Sequence, residues 1–260
     1  MIESLSFGNP VGLWTLIKRE LVRTIKIINQ TIWPPIITTL LYVFVFGLAL
    51  GSRIKTVQGV PYAAFLIPGL IMLQVIDATY AETSSSLFQG RFMSSIQELL
   101  VSPLSAAEIV TGFVVAAVLR AILIANLILL VSFIFVHVVP ENWFLYFAVT
   151  TLVAILFASL GMILGLLAEK FDHIAILTTF VITPLVFVGG VFTSVQFLPE
   201  PFRVASFANP MFYMIDAFRY SFTGHGDVSL GAALSVVSAL AVGATAVALI
   251  MVARGHKLRV

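Results

Sequence analysis

Asp77, Glu82, Glu108 and Arg120 are the charged residues that fall inside long apolar runs, where an ionisable side chain is costly and marks a proton site, an ion path or a packing partner. All four stand toward one end of their runs, whereas coupled transport by protonation uses groups near the middle of the bilayer. Arg120 therefore reads as a residue that snorkels to the inner interface or pairs with a neighbour. Asp77 reads as an interfacial residue or a helix-packing hydrogen-bond partner. Other chemistry is missing. The histidines at 137, 173, 225 and 256 lack metal-ligand spacing, and neither HExxH nor GxSxG occurs. None of the five lysines follows a glycine, so the chain has no phosphate-cradling Walker A loop. No catalytic, metal or cofactor-binding residue can be assigned, and if ATP drives this protein another chain binds it.

The elements that hold these residues follow from composition. The chain of 260 residues is 60% hydrophobic and 10% charged, against roughly 45 to 50% and 25% for a soluble domain. Its apolar runs are close to the length of about 20 residues that a helix needs to cross the hydrocarbon core. Barrel strands would alternate and be about half as long. The expected fold is all-α, a single polytopic membrane domain with six spans at 34–50, 62–82, 106–137, 143–168, 174–191 and 229–253. The net charge of +2 says little about partners on so hydrophobic a chain, and with no basic groove of interleaved aromatics no nucleic-acid partner is expected. Without cysteine there is no disulfide or thiolate site. No small-residue cleavage site follows the first basic stretch, so the N-terminus is expected to be retained.

Between the spans lie shorter elements. Asn9 and Pro10 form a helix start. Over residues 10–30, Leu13, Ile17, Leu21, Ile25 and Ile28 share one face, while Lys18, Arg19, Arg23 and Lys26 gather on the other, the pattern of an interfacial helix on anionic lipid. Pro34 and Pro35 then turn the chain into the bilayer. Pro68 and Gly69 are expected to kink the second span. Residues 83–103 are polar and expected outside the bilayer, with a short amphipathic helix over 88–101 that carries Phe88, Phe92, Ile96 and Leu100 at intervals of four. Ser105 and Glu108 form a capping box for a third span of about 48 Å, long enough to overshoot the bilayer. Gly161 and Gly165 permit close helix approach, and Asp172 is placed to cap the fifth span. Residues 192–222 are too often interrupted by polar groups to cross the membrane, and Asn209 with Pro210 should open a short helix there.

Nine Lys/Arg fall on the side that the positive-inside rule makes cytoplasmic (18, 19, 23, 26, 91, 170, 254, 257, 259), against four outside (53, 55, 203, 219). Both termini are therefore expected in the cytoplasm. Asp216 and Arg219 lie three apart on the outer helix, where an exposed ion pair contributes only about 0 to 1 kcal/mol. Together with Asn209, Pro210 and Phe212 they form the candidate outer gate.

Four stretches carry a resemblance to a known family. They are Trp33, Pro34, Pro35 and Ile36 with Phe46 and Gly47; residues 62–72 (YAAFLIPGLIM); residues 98–112 (ELLVSPLSAAEIVTG); and residues 184–220, with Gly189, Gly190, Val191, Phe192, Leu198, Pro199, Asn209, Pro210, Arg219 and Tyr220. In this order the chain resembles the permease subunits of ABC type-2 exporters over essentially its whole length. It looks closest to the small bacterial members encoded beside a separate ATPase, and it lacks the long outer domain of the larger lipid exporters.

The resemblance implies roles. Residues 10–30 become the connecting helix along the inner surface. Residues 88–101 become the coupling helix that docks on the ATPase through Phe88, Arg91, Phe92, Ile96, Gln97, Glu98 and Leu100, with Arg91 and Glu98 pairing across the interface. Residues 192–222 become short re-entrant helices near the outer leaflet. Two copies would work as a homodimer with two ATPase subunits in the bacterial inner membrane, in contact with lipid, with ATP and Mg held by the partner. The expected activity is outward movement of an amphipathic, lipid-linked or drug-like molecule. The rivals are a proton-coupled secondary transporter using Asp77 and Glu82 and a scaffold without transport.

Overall fold

The protein is described by a computed structural model of residues 7–50, 56, 57, 59–92 and 102–255, with backbone alone at 48–50. Helix α1 spans Pro10–Lys26. Asn9 caps it, its Oδ1 accepting from the Gly12 N–H at 2.8 Å, and proline fits the first turn because its missing N–H would have no helical partner there. The chain breaks at Ile27, forms the single turn α2 (Ile28–Thr31) and restarts as α3 (Trp33–Tyr42), which places Pro34 and Pro35 in a first turn again. α3 passes into π-helical turns over Val43–Leu50. A minimal antiparallel hairpin, β1 (Thr56–Val57) and β2 (Val60–Pro61), leads to the second span.

Helix α4 runs unbroken over Tyr62–Phe92, 31 residues that include Pro68. The polar residues 83–92, expected in a separate element, continue this helix. Ser84 and Ser86 account for much of that: Ser84 donates to the carbonyls of Tyr80 and Ala81, and Ser86 to the carboxylate of Glu20, so these polar side chains are satisfied without leaving the helix. Helix α5 spans Ala106–Ser132, opened by the capping box of Ser105 and Glu108, and stops short of the expected end at 137. Helix α6 spans Trp143–Leu167.

The fifth span is irregular: α7 (Phe171–Leu177), π turns over Thr178–Ile182, α8 (Thr183–Val186) and π turns over Phe187–Val191, with Gly190 at φ +94° where the span ends. Asp172 does not cap α7; Lys170 holds that position without a side-chain bond, and Asp172 lies inside the first turn. A 3-10 turn, α9 (Glu200–Phe207) and α10 (Pro210–Thr223) follow, and α11 (Leu230–Ala253) is the last span. Among the described residues, six helical stretches are long and apolar enough to cross a membrane.

α4 is the axis of the bundle. In its most apolar window 78% of residues are buried, against 22% in α11, which packs by a single stripe of Ala233, Val237, Ala241, Ala244, Ala248 and Val252. α6 approaches α4 most closely at Gly161 and Gly165. A Cβ added at Gly161 would stand 2.8 Å from the Tyr80 carbonyl oxygen, and one at Gly165 would stand 2.8 Å from that of Ser84. Only hydrogen fits, and the helices gain dispersion contact along the seam.

Candidate functional site

α1 faces inward with Leu16, Ile17, Glu20 and Thr24, and Ile25 and Ile28 of the expected apolar stripe are exposed. The buried face is thus rotated from the predicted one, because α1 packs on α5, where Leu16 fills the space left by Gly112, and reaches α4 through the side chains of Glu20 and Arg23. On this face sits a set of charges. Glu20, 3% exposed, accepts from Ser86 Oγ at 2.6 Å, Arg19 Nη2 at 3.2 Å and Arg23 Nε at 3.3 Å. Arg23 reaches on to α4, its Nη2 donating at 3.2 Å to both the Glu82 backbone carbonyl and Oε2. Glu82 also accepts from Thr31 at 3.1 Å. Arg120 of α5, 3% exposed, donates from Nε to Thr24 Oγ1 at 2.9 Å and places Nη1 3.7 Å from Glu82 Oε2.

Glu20 and Glu82 therefore stand against Arg23 and Arg120, with Arg19 at the rim. Without Arg19 the charges balance, two against two, and each buried one has partners, the condition under which ions persist in an apolar interior. The cluster ties α1, the first span, the second span and the third span at one end of the bundle. Arg120 pairs with a neighbour, one of the two readings of the sequence. Glu20 is the residue that sequence reasoning missed. Its signal was its place four residues after Leu16, three after Ile17 and four before Thr24, on the inward stripe. Lys18 and Lys26 are exposed and take no part.

Farther along α4, Arg91 turns inward. Its Nη1 donates to the carbonyls of Gly165, Leu166 and Ala168 at 3.1, 2.7 and 3.0 Å, which satisfies the free carbonyls at the end of α6. The sequence assigned Arg91 to a pair across the ATPase interface; within the chain it is engaged by α6. Phe88 is also occupied, edge-on to Phe171 with centroids 5.3 Å apart. Phe92 is 82% exposed. Ile96, Gln97, Glu98 and Leu100 lie outside the described residues.

The other end of the bundle also differs from expectation. Asp216 and Arg219 are each 2% exposed, and no ion pair forms between them. α10 packs against α4, α6 and α11, which turns both side chains inward. Arg219 Nη2 donates to the Gly190 carbonyl at 2.7 Å, and its guanidinium lies 3.8 Å from the centroid of Phe65. Burial lowers its pKa to about 10, so the charge persists at neutral pH. Asp216 accepts from the backbone N–H groups of Asp227 and Val228 at 2.8 and 3.1 Å; burial, the largest influence, raises its pKa. Asn209 caps α10 through the Met211 N–H and donates to the Leu185 carbonyl at 2.6 Å. Pro210 opens the helix and Phe212 is buried. These residues join α10 to the fifth span and the α11 start.

No group of His, Asp and Glu suited to a metal occurs among the described residues. The chain matches the family described as "ABC-2 type transporter" over residues 11–223. It belongs to that family. It is 38% identical over 249 residues to the inner membrane transport permease YadH of Escherichia coli K12, covering 96% of this chain and 97% of that one. It is 29% identical over 227 residues to nodulation protein J of Neorhizobium galegae, covering 86% and 85%, and 27% identical over 235 residues to that of Rhizobium meliloti, covering 90% and 88%. This ABC-2 chain is a membrane permease of an ABC transporter, a multi-pass inner-membrane protein and a transport subunit. The family implies a partner ATPase.

Proposed function

We propose that this permease works as a homodimer with two copies of a separate ATPase and moves an amphipathic molecule from the cytoplasm or inner leaflet outward, with both termini cytoplasmic. The observation that carries this reading is the ion-paired cluster of Glu20, Arg23, Glu82 and Arg120. It makes α1 a rigid part of the bundle, so a push received at that end passes to the second and third spans. α4 runs from the cluster into the stretch 88–101 proposed as the coupling helix, and Arg91 fastens that stretch to the end of α6. ATPase closure would move these parts together. The similarity to an inner membrane transport permease supports transport. ATP and Mg would be held by the partner chain.

The test is co-expression with a candidate ATPase of the ABC type, co-purification in lipid nanodiscs and measurement of ATP hydrolysis with and without the permease. A stable complex whose hydrolysis depends on the permease is expected. A permease that binds no such ATPase and moves substrate on a proton gradient alone would overturn the proposal. Reporter fusions after Val60, Pro140 and Gly226 are expected outside, and those after Gly90, Lys170 and Val260 inside.

A further inference from the structure

A cavity of about 280 Å³ opens between the first, second and fifth spans, beside the cluster and sharing Thr31 and Glu82 with it. Asp77 lines it with Gln74, Thr38 and Thr31, and Tyr42 and Phe187 supply aromatic wall. Among the described residues no Lys or Arg lines it. The other carboxylate at its edge, Glu82, is met by Arg23 at 3.2 Å and Arg120 at 3.7 Å. Asp77 differs: among the described residues nothing donates to its Oδ1, which is closed from solvent. A carboxylate held among spans with one oxygen buried and unpartnered is an expensive arrangement. It becomes favourable when a ligand brings the missing charge, and aromatic walls add attraction for a cation. The volume lies near the lower end of small-molecule pockets, roughly 300 to 1,000 Å³, enough for a headgroup and part of an apolar body.

We propose that this cavity binds an amphipathic organic cation, an ammonium or similar headgroup on an apolar body, with Asp77 as its counter-ion. The inference rests on the export reading only in naming the substrate class; the binding itself needs no ATP. Gln74 and Thr38 offer polar contacts around the headgroup, and Tyr42 and Phe187 face the body. Removing the Asp77 charge removes no hydrogen bond to Oδ1 within the chain, so the variant should fold.

Binding is measured with ethidium, a fluorescent amphipathic cation, on the full chain in nanodiscs without ATPase or ATP, with empty nanodiscs of the same lipid as background. Saturable binding is expected, weakened on the order of tenfold in Asp77→Asn, about 1.4 kcal/mol, and retained within a few-fold in Asp77→Glu. Benzyltrimethylammonium should displace ethidium, and its uncharged isostere neopentylbenzene should not. Wild-type affinity in Asp77→Asn, equal displacement by the uncharged isostere, or no saturable binding to the wild type would each overturn the proposal. ATP-driven movement of ethidium in vesicles with the ATPase is read separately. Charge-dependent binding without such movement upholds the site and counts against export, whereas ATP-driven transport of another molecule without ethidium binding does the reverse.

Discussion

Replacing Glu82 by Gln should show what the charge cluster contributes. Arg120 is 3% exposed and Glu82 16%, with 3.7 Å between Nη1 and Oε2. At that separation and an effective dielectric near 20, two unit charges attract by about 4 kcal/mol, and desolvation takes back a large part. Removing one member of a buried pair costs about 3 to 5 kcal/mol because the remaining charge is stranded. Arg23 keeps Glu20 in the variant, while Arg120 loses its ion-pair partner, so a loss near the lower figure, about 3 kcal/mol, is expected. Arg120→Gln should cost about 2 kcal/mol, since Glu82 retains Arg23 and Thr31. The double variant should be less destabilised than the sum by about 1 to 3 kcal/mol, the coupling of residues in one network. The assay is equilibrium unfolding in mixed micelles followed by circular dichroism. If the two effects add to within about 0.5 kcal/mol, the pair is no more than a surface contact and the account of a rigid joint fails.

Gly165→Val should separate α6 from α4, because even its Cβ would stand 2.8 Å from the Ser84 carbonyl oxygen; a loss of about 1 to 3 kcal/mol or no folded protein is expected in the same titration, and unchanged stability would refute the close seam. Arg91→Ala should free the carbonyls of Gly165, Leu166 and Ala168 and raise hydrogen exchange in the 165–175 region, with Arg91→Lys partly protective; wild-type protection in the Ala variant would show that Arg91 holds nothing there. Arg219→Met should cost about 2 to 3 kcal/mol through the lost charged hydrogen bond to Gly190, and a change in transport with stability intact would favour a gating role over the structural one. Glu98→Lys is expected to weaken ATPase recovery while insertion persists, and normal recovery with normal export would remove Glu98 from the coupling contact.

Much of this protein was legible without coordinates. Span number and element type followed from run length, since only helices satisfy their own backbone in lipid. The caps at Asn9, Ser105 and Asn209 were readable because capping depends on residues three or fewer positions away. Gly161 and Gly165 also announced a close seam, though not that α4 would fill it.

What tertiary structure decided was the direction in which polar side chains point and what they meet. Glu20 and Arg120 lie 100 residues apart, and only the packing of α1 on α5, with α4 alongside, brings them into one cluster. Arg91 and Arg219 read as surface charges, yet Arg91 ends on the carbonyls of α6 and Arg219 on Gly190. Local pattern cannot reveal this, because hydropathy measures what a residue costs to bury and not which distant partner offsets that cost. The same reason separates Glu82 from Asp77. Five positions apart on one helix and alike in type, they differ because Arg23 and Arg120 arrive from other elements at the first and none arrives at the second.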